Sequence, residues 1–174
     1  MAQAVISTIG HDRPGLVSAI TAVAKEYGLN IADSRMTVLG GEFAVLMSVQ
    51  GSDTALQAFH QAMDVLCADD DLAYVFRLTG ERQNLAPSRR YVATFVAMDH
   101  PGIVHSIAEF FSSRQINIHD LQTTTTPAAH TGTPIFSVTL TAEVPAGLRV
   151  HELREQFEHF CVDTDLDGQL EAAR

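Results

Sequence analysis

Two copies of an Asp-x-Pro-Gly motif, each followed by an aliphatic residue, carry the clearest chemical signal in this sequence. The copies are Asp12, Arg13, Pro14, Gly15 and Leu16, and Asp99, His100, Pro101, Gly102 and Ile103. Apolar residues at helical spacing follow each copy, so each motif opens a helix. A helix N-terminus presents unpaired N–H groups and a partial positive charge that suit a carboxylate, and glycine lets a ligand approach the backbone. The motifs therefore predict two carboxylate-binding loops.

An asparagine follows each of these helices, where the next strand is predicted to open. The residues are Asn30 with Ile31 and Asn117 with Ile118. An amide side chain can accept from an ammonium group and donate to a carboxylate, and a free amino acid carries both groups. The alternative is purely structural, with the aspartates as helix caps, the glycines in tight turns and the asparagines as turn residues.

Other chemistries have less support. The eight histidines are scattered, without the i, i+4 spacing of helical metal ligands. Cys67 and Cys161 end two matching apolar helices, which favours buried thiols over a nucleophile. Phosphate-loop, dinucleotide-binding and nucleophile-elbow motifs are absent from the sequence. We expect no catalytic residues, no metal and no cofactor, and thus a protein that is not an enzyme.

The elements that must position the motifs also occur twice. In the first copy the pattern predicts strands at 4–9, 30–39, 43–49 and 72–78, with helices over 16–27 and 56–67. Gly40-Gly41 predicts a tight hairpin between the two middle strands. The order is βαββαβ, the ferredoxin-like plan.

The second copy repeats this order, with strands at 91–97, 117–124, 135–142 and 165–170 and helices beginning near Ile103 and Val150. The polar segment 80–90 (GERQNLAPSRR) predicts a linker. We therefore expect an α+β protein of two ferredoxin-like domains with antiparallel sheets, residues 1–79 and 91–174, joined by that linker.

The opening Asp-Arg-Pro-Gly-Leu-Val at 12–17, its spacing to Asn30-Ile31 and the βαββαβ order resemble the ACT domain, a small amino-acid-sensing regulatory module. The resemblance covers both halves of the chain. The segment 31–36 (IADSRM), followed by Gly-Gly-Glu-Phe at 40–43, further resembles the glycine cleavage system transcriptional repressor family, which consists of tandem ACT pairs without an enzyme or a DNA-binding domain. The second half departs from this pattern, because His100 replaces the arginine and Leu121-Gln122 stand where the first half has Ser34-Arg35.

The resemblance implies two ACT modules packed side by side as a pseudo-dimer, in a chain that also forms homo-oligomers. It implies that an amino acid, glycine or a similar one, binds at the interface between the Asp-x-Pro-Gly loop of one module and the strand edge of its partner module, within the chain or in a second copy of it. It further implies a repressor-type regulator of glycine metabolism that acts through a regulatory partner protein. The alternative is a free-standing ACT regulatory subunit that allosterically controls a metabolic enzyme.

Composition sets the remaining expectations. Apolar residues make up 46% of the 174 residues, as in globular proteins. Because no apolar run approaches a membrane span and Met1-Ala2-Gln3 leads directly into strand-like sequence, we expect neither a membrane segment nor a signal peptide. The expected location is the cytoplasm.

The charge balance predicts that the chain does not bind duplex DNA directly. Eleven basic residues face 21 acidic ones, and residues 1–80 and 91–174 are each acidic. Duplex DNA requires clustered positive charge to displace its counterions. We predict no tight complex between the purified protein and duplex DNA in a fluorescence anisotropy titration at physiological salt. A salt-sensitive, submicromolar complex would contradict this prediction.

Overall fold

The computed structural model describes residues 1–80, 87–129 and 131–173 and divides the chain into two compact units, Met1–Gln83 and Asn84–Arg174. The predicted linker, 80–90, falls largely on residues 81–86, which lie outside the described residues. Its predicted end is late, because the first strand of the second unit already begins at Ser88. The side-by-side packing of the two modules stays a prediction.

The first unit consists of four strands and two helices in βαββαβ order. Its elements are β1 (Ala2–His11), α1 (Leu16–Glu26), β2 (Asn30–Leu39), β3 (Glu42–Gly51), α2 (Asp53–Asp69) and β4 (Ala73–Thr79). The strands form one antiparallel sheet in the order β2-β3-β1-β4. The predicted elements are confirmed, and β1 and β3 extend beyond their predicted ends.

The second unit repeats this architecture. Its elements are β5 (Ser88–Met98), α3 (Ile103–Ser112), β6 (Asn117–Pro127), β7 (Pro134–Pro145), α4 (Val150–Asp163) and β8 (Asp167–Ala172). The sheet order β6-β7-β5-β8 is the same, again fully antiparallel. The α+β class and the tandem ferredoxin-like plan are confirmed. No helix within the described residues is long and apolar enough to cross a membrane.

Each core lies between one face of the sheet and the two helices. In β3 the buried positions alternate, at Phe43, Val45, Met47 and Val49, because successive strand residues point to opposite faces. Helix α2 covers this face with Leu56, Phe59, Met63 and Cys67, spaced by three or four residues. The same division recurs in the second unit, with a separate apolar cluster.

At one matched pair of positions, the two cores carry an aromatic ring on different strands. In the first unit Thr8 of β1 lies opposite Tyr74 of β4, and in the second unit Phe95 of β5 lies opposite Gly168 of β8. Gly168 has no room for a side chain, because an added Cβ would lie 2.5 Å from Cys161 Sγ and 3.1 Å from Phe95. The aromatic ring at this position is therefore on β4 in the first unit and on β5 in the second unit.

The hairpins between the middle strands hold the motif loops in place. Gly40 and Gly41 both have positive φ, at 61° and 90°, as a two-residue hairpin turn requires. The Asp12 N–H donates to the Gly41 carbonyl at 3.1 Å, and in the second unit the Asp99 N–H donates to the Pro134 carbonyl at 3.1 Å. Each Asp-x-Pro-Gly loop is therefore hydrogen-bonded to the hairpin beside it.

Both cysteines are predicted to be unreactive in the native protein. Cys67 and Cys161 are buried free thiols, and desolvation raises the pKa of each from 9.0 to about 11, with nearby carboxylates adding to the effect. Because the thiolate is the nucleophile, reaction with Ellman's reagent at pH 7.5 is expected to be much slower than for free cysteine. Both thiols should react at once in denaturant. Rapid labelling of either cysteine in the folded chain would contradict the prediction.

Candidate functional site

The first Asp-x-Pro-Gly loop connects the end of β1 to the start of α1. Gly15 is the N-cap of α1, with φ 99° and ψ −12°, and its carbonyl accepts from the Ala19 N–H at 2.8 Å. Side chains other than glycine rarely adopt this φ. Pro14 precedes the cap, so the helix proper begins at Leu16. The free N–H groups of the first turn therefore belong to Leu16, Val17 and Ser18.

The structural alternative in which Asp12 and Asp99 cap the helices is wrong. Neither α1 nor α3 has a side-chain cap hydrogen bond, and glycine occupies both N-cap positions. The same alternative places the glycines in tight turns, and their positive φ angles confirm this part of it.

The second loop reproduces the first in backbone geometry. Gly102 has φ 101° and ψ −12°, and its carbonyl accepts from the Ser106 N–H at 2.9 Å. The variable residue differs, because His100 stands where the first loop has Arg13. The His100 Nδ1 lies 3.2 Å from the neighbouring Pro101 carbonyl oxygen. The duplicated motif therefore fixes a duplicated turn, with a different side chain beside it.

A cleft of about 620 Å³ lies over the first loop. Its lining combines the loop, the first turns of α1 and two side chains of the hairpin strands: Asp12, Arg13, Pro14, Gly15, Leu16, Val17, Ser18, Thr21, Met36 and Phe43. An added Cβ on Gly15 would meet nothing within 4 Å, so the space above this residue is open. The cleft thus borders the helix N-terminus, whose partial positive charge favours an anion.

Arg13 already has an acidic partner in this structure. Its guanidinium forms an ion pair with Asp70, the residue that follows α2. The Arg13 side chain is half exposed, whereas the Asp70 side chain is 22% exposed. Because the guanidinium is half exposed to screening solvent, the pair contributes on the order of the 0–1 kcal/mol of surface ion pairs, so a ligand or partner competes for Arg13 at small cost.

Asn30 and Ile31 lie at the other end of the module from the loop. Gly15 precedes α1 and Asn30 follows it, and a helix of eleven residues is about 16 Å long. Asn30 pairs across the sheet with Gln50, whereas the loop contacts the Gly40-Gly41 hairpin at the opposite end of β3. Within one module, therefore, the structure does not bring Asn30 and Ile31 to the predicted loop residues.

Asn117 lies in the same position in the second unit, where it contacts a buried acid that sequence reasoning missed. The Asn117 Nδ2 donates to Glu143 Oε2 at 3.0 Å, and Glu143 of β7 is only 8% exposed. His119 and Arg90 also approach Glu143, at 3.5 Å and 4.0 Å. The available signal for Glu143 in the sequence was a carboxylate among alternating apolar residues. Ile118 adjoins the bulge at His119 in β6.

Within the part of the chain that the structure describes, no group of three or more His, Cys, Asp and Glu side chains could hold a metal ion. The motif loops instead offer backbone N–H groups and polar side chains. This arrangement can bind a small anion or zwitterion by hydrogen bonds and helix-end charge.

Comparisons with known proteins agree with this architecture. The ACT domain family profile matches residues 2–77. The glycine cleavage system transcriptional repressor of Escherichia coli (strain K12) is 30% identical over 167 residues, covering 95% of this chain and 87% of the relative. A UPF0237 protein of Methanosarcina mazei is 40% identical over 62 residues, covering 34% of this chain and 67% of the relative.

Solved structures match the chain over its full length. One, provisionally named a glycine cleavage system transcriptional repressor, has a TM-score of 0.76 at 25% identity and is covered to 98%, with 99% of this chain aligned. A protein of unknown function from Galdieria sulphuraria has a TM-score of 0.81 at 24% identity, with 99% of each chain covered. The second likeness concerns the fold alone.

The left-handed glycines predict a measurable stability cost for any side chain at the helix openings. Gly15→Ala and Gly102→Ala should each lower the free energy of unfolding by about 1–3 kcal/mol, because alanine is strained at φ near 100°. Gly147→Ala is the matched control, since this exposed glycine also has open space around it and no positive φ. Urea denaturation measures all three. Equal effects at Gly15 and Gly147 would contradict the prediction.

Proposed function

The chain belongs to the ACT domain family, with one ACT module in each unit, and on that basis we propose that it is a non-enzymatic, amino-acid-responsive regulator of glycine metabolism. It acts as a repressor-type regulator through a partner protein. The supporting observation is the similarity to the glycine cleavage system transcriptional repressor, which extends over 95% of this chain and 87% of that relative. Both modules and the connection between them are thus included in the similarity.

In this proposal the amino-acid carboxylate docks at the opening of α1. The supporting geometry is the open cleft over Gly15 and the free N–H groups of Leu16, Val17 and Ser18. Thr21 adds a hydroxyl to the cleft, and the exposed Met36 side chain adds an apolar surface. The equivalent loop at Gly102 has the same backbone but lacks the arginine, so we expect the first loop to bind more tightly.

The ligand's ammonium group needs an acceptor that a single module does not supply at the loop. Asn30 offers such an acceptor, yet it lies about one helix length away. The proposal therefore includes a homo-oligomer, in which a second copy of the chain brings its Asn30 and Ile31 to the loop. Edge strand β2 suits this role, because all ten of its residues are exposed and one side of its backbone has no partner strand within the part of the chain that the structure describes.

Arg13 has a second possible role in the proposal. The half-exposed ion pair with Asp70 can open, and the freed guanidinium can bind a carboxylate on the ligand or on the partner protein. Ligand binding would then be coupled to the surface that the partner reads. The net charge of −10 supports regulation through a protein rather than through DNA contact.

The competing function is a subunit that controls a metabolic enzyme directly, which the ACT family match supports equally. A pull-down with the tagged chain separates the two, in the presence and absence of glycine. Recovery of a transcription factor supports the proposal. Recovery of a biosynthetic enzyme whose activity the purified chain changes supports the competing function and contradicts the proposal.

A thermal-shift screen with the twenty amino acids tests ligand binding. We predict that glycine or a similar small amino acid raises the melting temperature, because a ligand at a hundredfold excess over its dissociation constant stabilises the native state by about 2.7 kcal/mol. Ser18→Glu should abolish the shift, since it places a negative charge in the first turn of α1. The same charge is favourable for the helix itself.

Ser18→Gln is the matched control for that variant. It has the same length without the charge, and it should retain most of the shift.

Asn30→Ala should weaken binding about tenfold or more, because it removes a hydrogen bond to a charged group. The proposal fails if no amino acid stabilises the protein, or if a folded Ser18→Glu variant keeps the full shift.

A further inference from the structure

The first sheet carries an apolar patch on the face that points away from its helices. Three large side chains of this patch are more than half exposed: Ile9 of β1 at 51%, Leu46 of β3 at 52% and Val75 of β4 at 56%. Val5 extends the patch along β1 and is partly exposed. A sheet face that meets only water is normally polar, so this patch requires an explanation.

Strand pairing arranges this face, which we call the outer face, in three rows that run across β2, β3, β1 and β4. The rows are Thr37, Ala44, Ile9 and Ala73; Arg35, Leu46, Ser7 and Val75; and Asp33, Ser48, Val5 and Arg77. In every row the two central strands place one large aliphatic side chain beside one small side chain. The strand that carries the large one changes from each row to the next, so large and small side chains alternate in both directions.

The same face of the second unit is polar. Its central row is Gln122, Thr139, Thr94 and Gln169, which occupy the positions of Arg35, Leu46, Ser7 and Val75. On β8, Asp167 and Glu171 stand where β4 has Ala73 and Arg77. Because the two units share one backbone plan, the fold itself does not require an apolar outer face. The patch on the first unit therefore indicates a surface that another molecule covers.

We propose that the outer face of the first unit binds the outer face of a second copy of the chain, about a two-fold axis parallel to the strands. This axis places β3 of each copy over β1 of the other. Leu46 then lies over Ser7 of the second copy, and Ile9 over its Ala44. An axis across the strands would instead place Leu46 against Leu46. The alternation of large and small side chains thus favours the first arrangement.

The same axis brings opposite charges together at the edges of the face. It places β2 of each copy over β4 of the other, so that Asp33 meets Arg77 of the second copy, twice by symmetry. Both side chains are exposed, and neither forms an ion pair within the described part of a single chain. Arg35 lies over Val75, where its aliphatic stem covers the apolar side chain. Packed sheets cross at about 30°, an offset that a long arginine side chain can span at the edge.

The size of the outer face fits a dimer that dissociates on dilution. The shortest of the four strands, β4, has seven residues. Four such strands cover roughly 19 Å by 23 Å, so two stacked faces bury on the order of 900 Å² before the relief of the side chains is counted. This area is at the low end of specific interfaces. The contact leaves the backbone edge of β2 free and goes beyond the proposed function.

Sedimentation velocity of the full chain over a dilution series, without added amino acid, tests the proposal. A reversible equilibrium between monomer and dimer is expected. Leu46→Lys should weaken dimerisation about tenfold or more, because it buries an unpaired charge in the centre of the contact. Thr139→Lys is the matched control, since it adds the same charge at the equivalent position of the second unit, and it should leave the equilibrium unchanged.

Charge reversal tests the orientation of the two copies. Arg77→Asp and Asp33→Arg should each weaken the dimer, because each places like charges together. The double variant should recover the dimer, since the pair forms again with its signs exchanged. Pairing within one chain cannot explain that recovery, because three strand spacings, about 14 Å, separate the two positions.

The outcomes separate this contact from the others in the protein. A chain that stays monomeric at every concentration would overturn the proposal, as would a dimer that persists in a Leu46→Lys variant whose circular dichroism shows a native fold. In the second case the copies associate through another surface, such as the β2 edge, and the proposed function is unaffected. A double variant that fails to recover the dimer would overturn the two-fold axis parallel to the strands.

Discussion

The turn between the first strand and the first helix of each module is the constraint on which the candidate site depends. A strand that ends at the edge of the core must reverse into a helix within four residues, and a glycine with φ near 100° makes this possible in both modules. The aspartate N–H at the start of the turn is hydrogen-bonded to the neighbouring hairpin, so the turn and the hairpin hold each other. As a result, the first N–H groups of the helix face an open cleft over the first loop rather than a capping side chain.

Much of the fold could be predicted from the sequence because it occurs twice. The matching motifs set the two copies in register, and the apolar periodicities then gave every strand and helix in order. The boundaries were less accurate, since strand ends depend on pairing with a neighbour: β6 continues to Pro127 because its partner β7 begins at Pro134.

The site was harder to predict. The loop residues do gather in one cleft, but the length of α1 separates Asn30 from them. Asn30 and the loop residues both adjoin α1 in the sequence, and this proximity does not show that they lie at opposite ends of the helix. The pairs Arg13–Asp70 and Asn117–Glu143 depend on tertiary contacts that no local pattern encodes.

The two modules have kept one backbone and diverged in their side chains. In the cores a large ring faces a small residue in both, yet Tyr74 and Phe95 stand on different strands of the pair. At the surface the first module keeps an arginine beside its loop and apolar contacts between its helices. The second has a histidine beside its loop, a buried glutamate near the end of β7, opposite the start of β6, and a polar cleft around Arg114. Such changes alter which side chains contact each other. They preserve the fold because the alternation of strand faces and the helical spacing of apolar residues, which form the core, stay the same.

The proposed regulation depends on an amino acid that binds through its carboxylate at the opening of α1. A titration of the ¹⁵N-labelled protein with glycine, followed by two-dimensional heteronuclear NMR, tests it most directly, because it reports on each backbone N–H separately. We expect saturable shifts of the Leu16, Val17 and Ser18 amide signals, with no comparable change at the remote Gly147. Unchanged first-turn amides, under conditions where an amino acid stabilises the protein against heat, would contradict the claim and would place the ligand elsewhere.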